Sequence, residues 1–266
     1  MDLQLFVLCL LTFVIHFVGA LAYAARIAGV RTGKIAVAFS LFNILVLFSR
    51  VSNSFQGPFL SKRIELSLLG NERGLLWDFQ LLMLSATAAA LLGALAVPTF
   101  QRLFTAAITH FHENRSVPRL LLHAFARGGL SYIKLAVTPP SPSHIKDFRR
   151  STAISANVVV LNVAAQMFLT VGVFASLYAG YLSPEFRVTA VSLSSIINGV
   201  ATILLFVFID PHLSVMTDDV IAGRTTEADF RRAVVWLAAS RVVGTLLAQG
   251  VLLPAAVSIA WVARVI

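Results

Sequence analysis

The stretch LQLFVLCLLTFVIHFVGALAYAA, residues 3–25, runs for 23 residues without a charged side chain. At 1.5 Å of rise per residue, a helix of this length crosses a hydrocarbon core of ~30 Å. It follows Met1-Asp2 rather than a cationic segment, so we interpret it as a first transmembrane helix and not as a cleaved signal peptide.

The composition also indicates a chain that lies mostly in lipid. Of the 266 residues, 58% are hydrophobic and 12% are charged, and the mean hydropathy is +0.85, whereas soluble domains carry about 25% charged residues. Soluble enzyme folds are therefore excluded. The net charge of +9 indicates anionic membrane lipids as partners rather than nucleic acid. The single cysteine, Cys9, excludes a disulfide framework and a thiolate metal cluster.

Five further apolar runs predict an all-α membrane protein, a polytopic bundle of about six transmembrane helices that forms one membrane domain over residues 1–266. The predicted spans are residues 3–25, 35–60, 75–100, 152–182, 188–209 and 233–265.

A central loop is predicted over residues 101–151, and Pro118–Gly129 within it predicts an amphipathic helix. Arg119, His123 and Arg127 recur there every four residues and form a basic face. Such a helix lies in the cytoplasmic interface on anionic lipid, or else covers the bundle as a packed amphipathic helix.

Lysine and arginine residues predict the orientation. Segments 26–34, 102–150 and 210–232 hold 14 of the 21 cations, and the segments on the opposite side hold six. Because cytoplasmic loops retain cations, we expect both termini outside the cytoplasm and the central loop inside it. Two halves of three helices then have inverted topologies, as in many transporters, although no sequence repeat accompanies them.

Two arginines fall within predicted spans. Arg50 follows Lys34 by 16 residues, ~24 Å from the predicted cytoplasmic end, and Arg241 lies eight residues into the sixth span, ~12 Å from that end. Asp78 is the acidic residue closest to a span interior. Two guanidinium groups with so few anionic partners favour a phosphate ligand, while snorkelling toward the nearer surface is the alternative for each.

Neutral polar residues recur at helical spacing along several of the predicted spans. They predict a hydrophilic cleft, although interhelical hydrogen bonding explains each one separately. The candidate substrate residues beside the two arginines are Asn43, Asn53, Gln56, Asn162, Gln166 and Gln249. Since neither a catalytic motif nor a metal-ligand motif occurs within the spans, we predict no catalytic residue, bound metal or cofactor.

The chain resembles the Amj family of bacterial lipid II flippases. The resemblance rests on Arg26–Lys34 (RIAGVRTGK), on Leu41–Arg50 (LFNILVLFSR), on Asn53-x-Phe-Gln-x-Pro58 and on Lys62-Arg63-x-Glu65. It implies translocation of undecaprenyl-pyrophosphoryl disaccharide-pentapeptide from the cytoplasmic to the outer leaflet of a bacterial cytoplasmic membrane for peptidoglycan synthesis.

The physical interpretation fits such a substrate. Arg241 near the inner side and Arg50 near the outer side would form two phosphate stations at different depths. Arg26, Arg31 and Lys34 would gather the headgroup at the cytoplasmic rim, although membrane anchoring predicts the same cations. The alternatives are a transporter of another polyprenyl-phosphate lipid, or an intramembrane enzyme or assembly factor that acts on one.

Overall fold

The computed structural model of the chain describes residues 2–70, 74–114, 135–138 and 154–266. Six helices in this part are long and apolar enough to cross a membrane, which confirms the predicted all-α membrane fold. They are α1 (Leu3–Thr32), α2 (Ile35–Leu68), α3 (Leu75–Asn114), α4 (Ala156–Leu182), α5 (Pro184–Ile221) and α6 (Glu227–Val265).

Local signals set several of the helix ends. The Asp2 carboxylate accepts the Leu5 N–H at 2.7 Å and begins α1, while Ser155 and Thr226 begin α4 and α6 in the same way. Gly33 ends α1 in the left-handed region at φ 64°, a conformation that glycine adopts without steric cost.

Several predicted boundaries were wrong because the helices extend beyond the apolar segments. The third span continues to Asn114, so residues 101–114 are helical rather than part of a loop. The second span continues through Gly57-Pro58 to Leu68, since proline removes a single backbone hydrogen bond and packing on both sides maintains the helix. The predicted amphipathic helix Pro118–Gly129 lies outside the described residues.

The fifth span is longer than the predicted 188–209 and is interrupted. A 3₁₀ turn at Pro184–Phe186 leads into short α-helical segments, a π-helical segment follows at Leu204–Ile209, and an α-helix resumes at Asp210–Ile221. Few residues of this helix are buried.

The described helices form two groups of three. The parallel helices α1 and α3 pack along their length, where Ser85 donates to the Cys9 carbonyl oxygen at 2.7 Å. The parallel helices α4 and α6 pack in the same way, and Asn162 donates to the Leu237 carbonyl oxygen at 3.1 Å. Helix α2 packs on α1, α5 packs on α4, and α3 packs on α6 to join the two groups.

Candidate functional site

In the described part of the chain, the two groups of helices do not pack on each other between α2 and α5, and we call this space the cleft. The described residues of α2 do not pack on α5 and those of α1 do not pack on α4, whereas α1 contacts α5 and α6, and α2 contacts α4. The cleft is bounded at its two ends by crevices that bring α2 near α5. At one end Phe39 lies beside Thr217, and at the other Ser61 and Glu65 lie beside Val191.

A polar stripe on α2 faces this cleft. Phe39 and Ser61 line the two crevices and therefore mark the face of α2 that is directed toward α5. Asn43, Arg50 and Ser54 are exposed and lie on the same face, because the steps from Phe39 through these residues to Ser61 are four, seven, four and seven positions. Arg50 forms no ion pair with any described residue. Asn53 is exposed on the flank of the same stripe.

The facing surface of α5 is polar as well. Ser195 and Thr202 follow Val191 at helical spacing on the side that lines the crevice with α2. The Asn198 Oδ1 atom is buried without a hydrogen-bond partner in the described structure. Asn198 lies against Gly172 of α4, so its side chain belongs to the contact between α4 and α5.

Arg241 enters the space between the groups from α6. A Cβ atom added at Gly19 of α1 would meet the Arg241 Nη2 atom, so the glycine makes room for the guanidinium. The Arg241 side chain has no carboxylate in ion-pair distance among the described residues, and its buried Nε atom has no hydrogen-bond partner there. His16 and Tyr23 lie on the same face of α1 as Gly19.

The two predicted arginines lie at one depth, not two. Ala38 packs against Gly29, and Gln56 donates to Thr12 at 2.5 Å. This antiparallel register places Arg50 level with residues 17–18 of α1, next to the Gly19 level at which Arg241 lies. The sequence placed Arg241 only eight residues into its helix because the predicted span starts at residue 233, whereas α6 begins at Glu227. Arg241 is therefore about 21 Å along its helix.

Four predicted substrate residues form hydrogen bonds between or within helices. Asn162 donates to Ser240 Oγ at 2.6 Å and Gln166 donates to Asn162 Oδ1 at 3.4 Å. Gln249 donates to Thr87 Oγ1 at 3.2 Å, and Gln56 donates to α1 as described above. These contacts hold α4 on α6, α3 on α6 and α2 on α1, and they are separate from the α2 stripe.

The three predicted rim cations cluster around the turn between α1 and α2. Arg26 pairs with Asp210 at 2.6 Å and lies over the Phe39 ring. Arg31 pairs with Glu227 at 2.6 Å. Lys34 directly precedes α2 and forms no ion pair with a described residue.

Sequence reasoning missed a buried ion network at the opposite end. Arg63 Nε contacts Asp78 Oδ2 at 2.7 Å, and Arg63 Nη1 contacts Asp2 Oδ2 at 2.8 Å. Asp78 is thus not the partner of either predicted phosphate arginine. The second span was predicted to end at residue 60, which placed Arg63 in a loop and hid this pairing.

Comparison with known proteins identifies the family. A family model described as Amj, alternate to MurJ, matches residues 11–263 of the chain. The chain belongs to the Amj family. A protein of Bacillus subtilis (strain 168) named "Lipid II flippase Amj" is 39% identical over 271 positions, which cover 98% of this chain and 96% of that protein. No solved structure matches the chain. The resemblance inferred from residues 26–65 is confirmed, and the protein is a multi-pass membrane protein.

Proposed function

We propose that this Amj-family protein is a lipid II flippase that moves the precursor from the cytoplasmic to the outer leaflet of the bacterial cytoplasmic membrane. Family membership and the relative named for this activity support the proposal. The structural observation that carries it is Arg241, a cation at mid-depth between the helix groups with no carboxylate partner among the described residues.

The chemistry of the substrate matches this cation. An arginine in the bilayer core costs at least ~2.5 kcal/mol without a partner or water, and a pyrophosphate supplies the missing negative charge. Its oxygen atoms accept paired hydrogen bonds from the planar guanidinium. The polyprenyl tail stays in the surrounding lipid while the charged and sugar groups follow the polar cleft.

Arg50 completes one station for the headgroup. It lies at the same depth as Arg241, and Asn43 and Asn53 flank it on the exposed side of α2. The substrate would therefore meet a single cationic level midway across the membrane, which it reaches from either side. Lys34 is the rim cation best placed to attract the headgroup, since Arg26 and Arg31 are already paired.

The proposed orientation places both termini outside the cytoplasm. Reporter cysteines at Gly70 and Glu185 should then react with an impermeant thiol reagent added to cells, and a cysteine at Gly223 should not, in a background in which Cys9 is replaced by serine. If the reagent labels Gly223→Cys from outside and does not label Gly70→Cys or Glu185→Cys, the protein has the opposite orientation.

The proposed activity is tested by measuring lipid II exposed on the outer leaflet of cells depleted of their other flippase. We expect the wild-type chain to restore exposure without changing the chemical composition of the lipid. Arg241→Leu and Arg50→Leu should each reduce exposure, because losing one charge-assisted hydrogen bond, worth ~1.5–3 kcal/mol, weakens binding by at least about tenfold. Arg224→Leu is the matched control, since Arg224 is exposed and pairs with Asp219 outside the cleft.

The results separate the activity from the site. If wild-type protein leaves lipid II exposure unchanged, the proposed function is wrong. If wild type restores exposure and both leucine variants do so equally at equal abundance, the function holds and the arginine station is wrong. Arg→Lys variants distinguish bidentate binding, which lysine loses, from simple charge attraction, which lysine keeps.

A further inference from the structure

The two crevices at the ends of the cleft are built from equivalent positions of the two halves. The α1–α2 crevice is lined by Ala25, Ile35 and Phe39 together with Thr217 of α5. The α4–α5 crevice is lined by Leu177, Arg187 and Val191 together with Glu65 of α2. Ala25, Ile35 and Phe39 precede Leu177, Arg187 and Val191, respectively, by 152 positions. Glu65 precedes Thr217 by the same number.

The same register relates the third helices of the two halves, and a close glycine contact follows it to within one residue. The third helix of each half begins at Leu75 or Glu227, again 152 positions apart. Gly93 of α3 packs against α1, and Gly244 of α6 packs against α4, 151 positions later. Because α1 and α4 run in opposite directions across the bundle, the halves are related by inversion. No residue-by-residue sequence similarity is needed for this relation.

The two crevices differ in how tightly they close. The α1–α2 crevice has no space for a water-sized molecule, and beside it Arg26 and Asp210 are in contact at 2.6 Å. The α4–α5 crevice encloses a cavity of about 250 Å³, and its Arg187–Glu65 pair is separated by 3.8 Å. The two ion pairs occupy positions that the 152-residue register does not relate, but the two crevices are related by it and differ in free volume.

We infer that α1–α3 and α4–α6 form an inverted structural repeat that exchanges conformations during transport. In the exchanged state the α4–α5 crevice closes, the α1–α2 crevice opens, and the cleft with Arg50 and Arg241 opens toward the opposite side of the membrane. The two states have similar internal contacts because each half adopts the arrangement of the other. This inference rests on the proposed flippase function for its direction and use.

Two cysteine pairs, equivalent under the 152-residue register, test the exchange. Phe39→Cys with Thr217→Cys spans the α1–α2 crevice, and Val191→Cys with Glu65→Cys spans the α4–α5 crevice, both without Cys9. A protease site inserted after Gly70 lies between the members of both pairs, so a short bismaleimide cross-link keeps the two fragments together on a denaturing gel. The protein is assayed in vesicles with and without lipid II.

We expect the Phe39–Thr217 pair to cross-link faster without lipid II, and lipid II to slow it while accelerating the Val191–Glu65 pair. Either cross-link should reduce flipping at least about tenfold, whereas the four single-cysteine variants treated with the reagent should flip normally. As a second measurement that does not need double variants, the reactivities of Phe39→Cys and Val191→Cys toward a water-soluble maleimide should change in opposite directions on addition of lipid II.

Parallel changes at the two crevices, or normal flipping with either crevice cross-linked, would overturn the inverted-repeat mechanism. Failure of the proposed function has a different result. In that case wild-type protein does not move lipid II, while the two crevices still respond reciprocally to a different polyprenyl-phosphate lipid.

Discussion

Arg63 and Arg241 are both held among transmembrane helices, but their surroundings differ. Arg63 is 5% exposed and contacts the carboxylates of Asp78 and Asp2, which ties α2 to α3 and to the start of α1. Arg241 contacts no carboxylate of the described chain and keeps a buried Nε atom without a partner. One arginine is satisfied by the fold, and the other keeps a buried hydrogen-bond donor without an acceptor among the described residues. Stability and transport should therefore respond separately to changes at the two sites.

The largest expected loss of stability is at Arg63. Arg63→Ala leaves Asp78, which is 8% exposed, without its cation, and breaking a buried pair costs about 3–5 kcal/mol. We expect little folded protein in the membrane, measured by abundance and by thermal unfolding in detergent. Arg224→Ala is the control, because the exposed Arg224–Asp219 pair is worth under about 1 kcal/mol. Equal abundance and unfolding temperature of these two variants would contradict the structural role of Arg63.

A second loss of stability is expected where α6 crosses α4. The Cβ atom of Gly244→Ala would lie 2.6 Å from the Val163 carbonyl oxygen and 2.8 Å from Gln166 Cβ. Backbone atoms cannot move aside as a side chain can, so the helices must separate at a cost of about 1–3 kcal/mol. Gly250→Ala on the same helix meets nothing within 4 Å and should stabilise the helix slightly. The unfolding temperatures of the two variants should move in opposite directions.

Gly19→Ala should affect transport more than stability. Its Cβ atom would meet the flexible end of Arg241 rather than backbone, so the guanidinium can move away at small energetic cost. The displaced cation no longer lies at the level of Arg50, and we expect flipping to fall by up to about tenfold with nearly unchanged unfolding temperature. Normal flipping, or a loss of stability as large as that of Gly244→Ala, would show that Arg241 is a packing residue.

The spans could be predicted from the sequence because apolar length is the requirement for crossing lipid. Their ends could not, since helices that project beyond the hydrocarbon carry charges and lose the hydropathy signal. Arg26 and Arg31 lie in the last two turns of α1, and Glu227 begins α6, although all three resemble loop residues in composition. Gly57-Pro58 resembles a helix end and is helical because the surrounding residues pack on α1.

Only the residues of the candidate site with the highest free-energy cost of burial in lipid could be predicted from the sequence. Arg50 and Arg241 are conspicuous because a charge in lipid requires an explanation. Their shared depth depends on the register between α1 and α2 and on the true start of α6, neither of which leaves a local pattern. The role of Gly19 depends on a side chain more than 200 positions away in sequence, so no spacing rule could reveal it.

The smallest expected effect is at Asp2, at the outer end of the satisfied network. The Leu5 N–H and then the Arg63 guanidinium hold the pKa of the Asp2 carboxyl below its usual value. Its contribution to stability is therefore complete above that usual value and is lost as the pH falls through the lowered pKa. Asp2→Asn keeps a cap for α1 but removes the charge pair, and because the Asp2 side chain is 50% exposed, we expect a loss of under about 1 kcal/mol at neutral pH. Asp2→Ala, which also removes the cap, should lose about 1 kcal/mol more.

Unfolding temperatures of wild type and Asp2→Asn should converge in acid, because protonation removes from the wild type the same charge that the variant lacks. An Asp2→Asn difference that persists unchanged below the lowered pKa would assign the effect to the shape of the cap rather than to its charge.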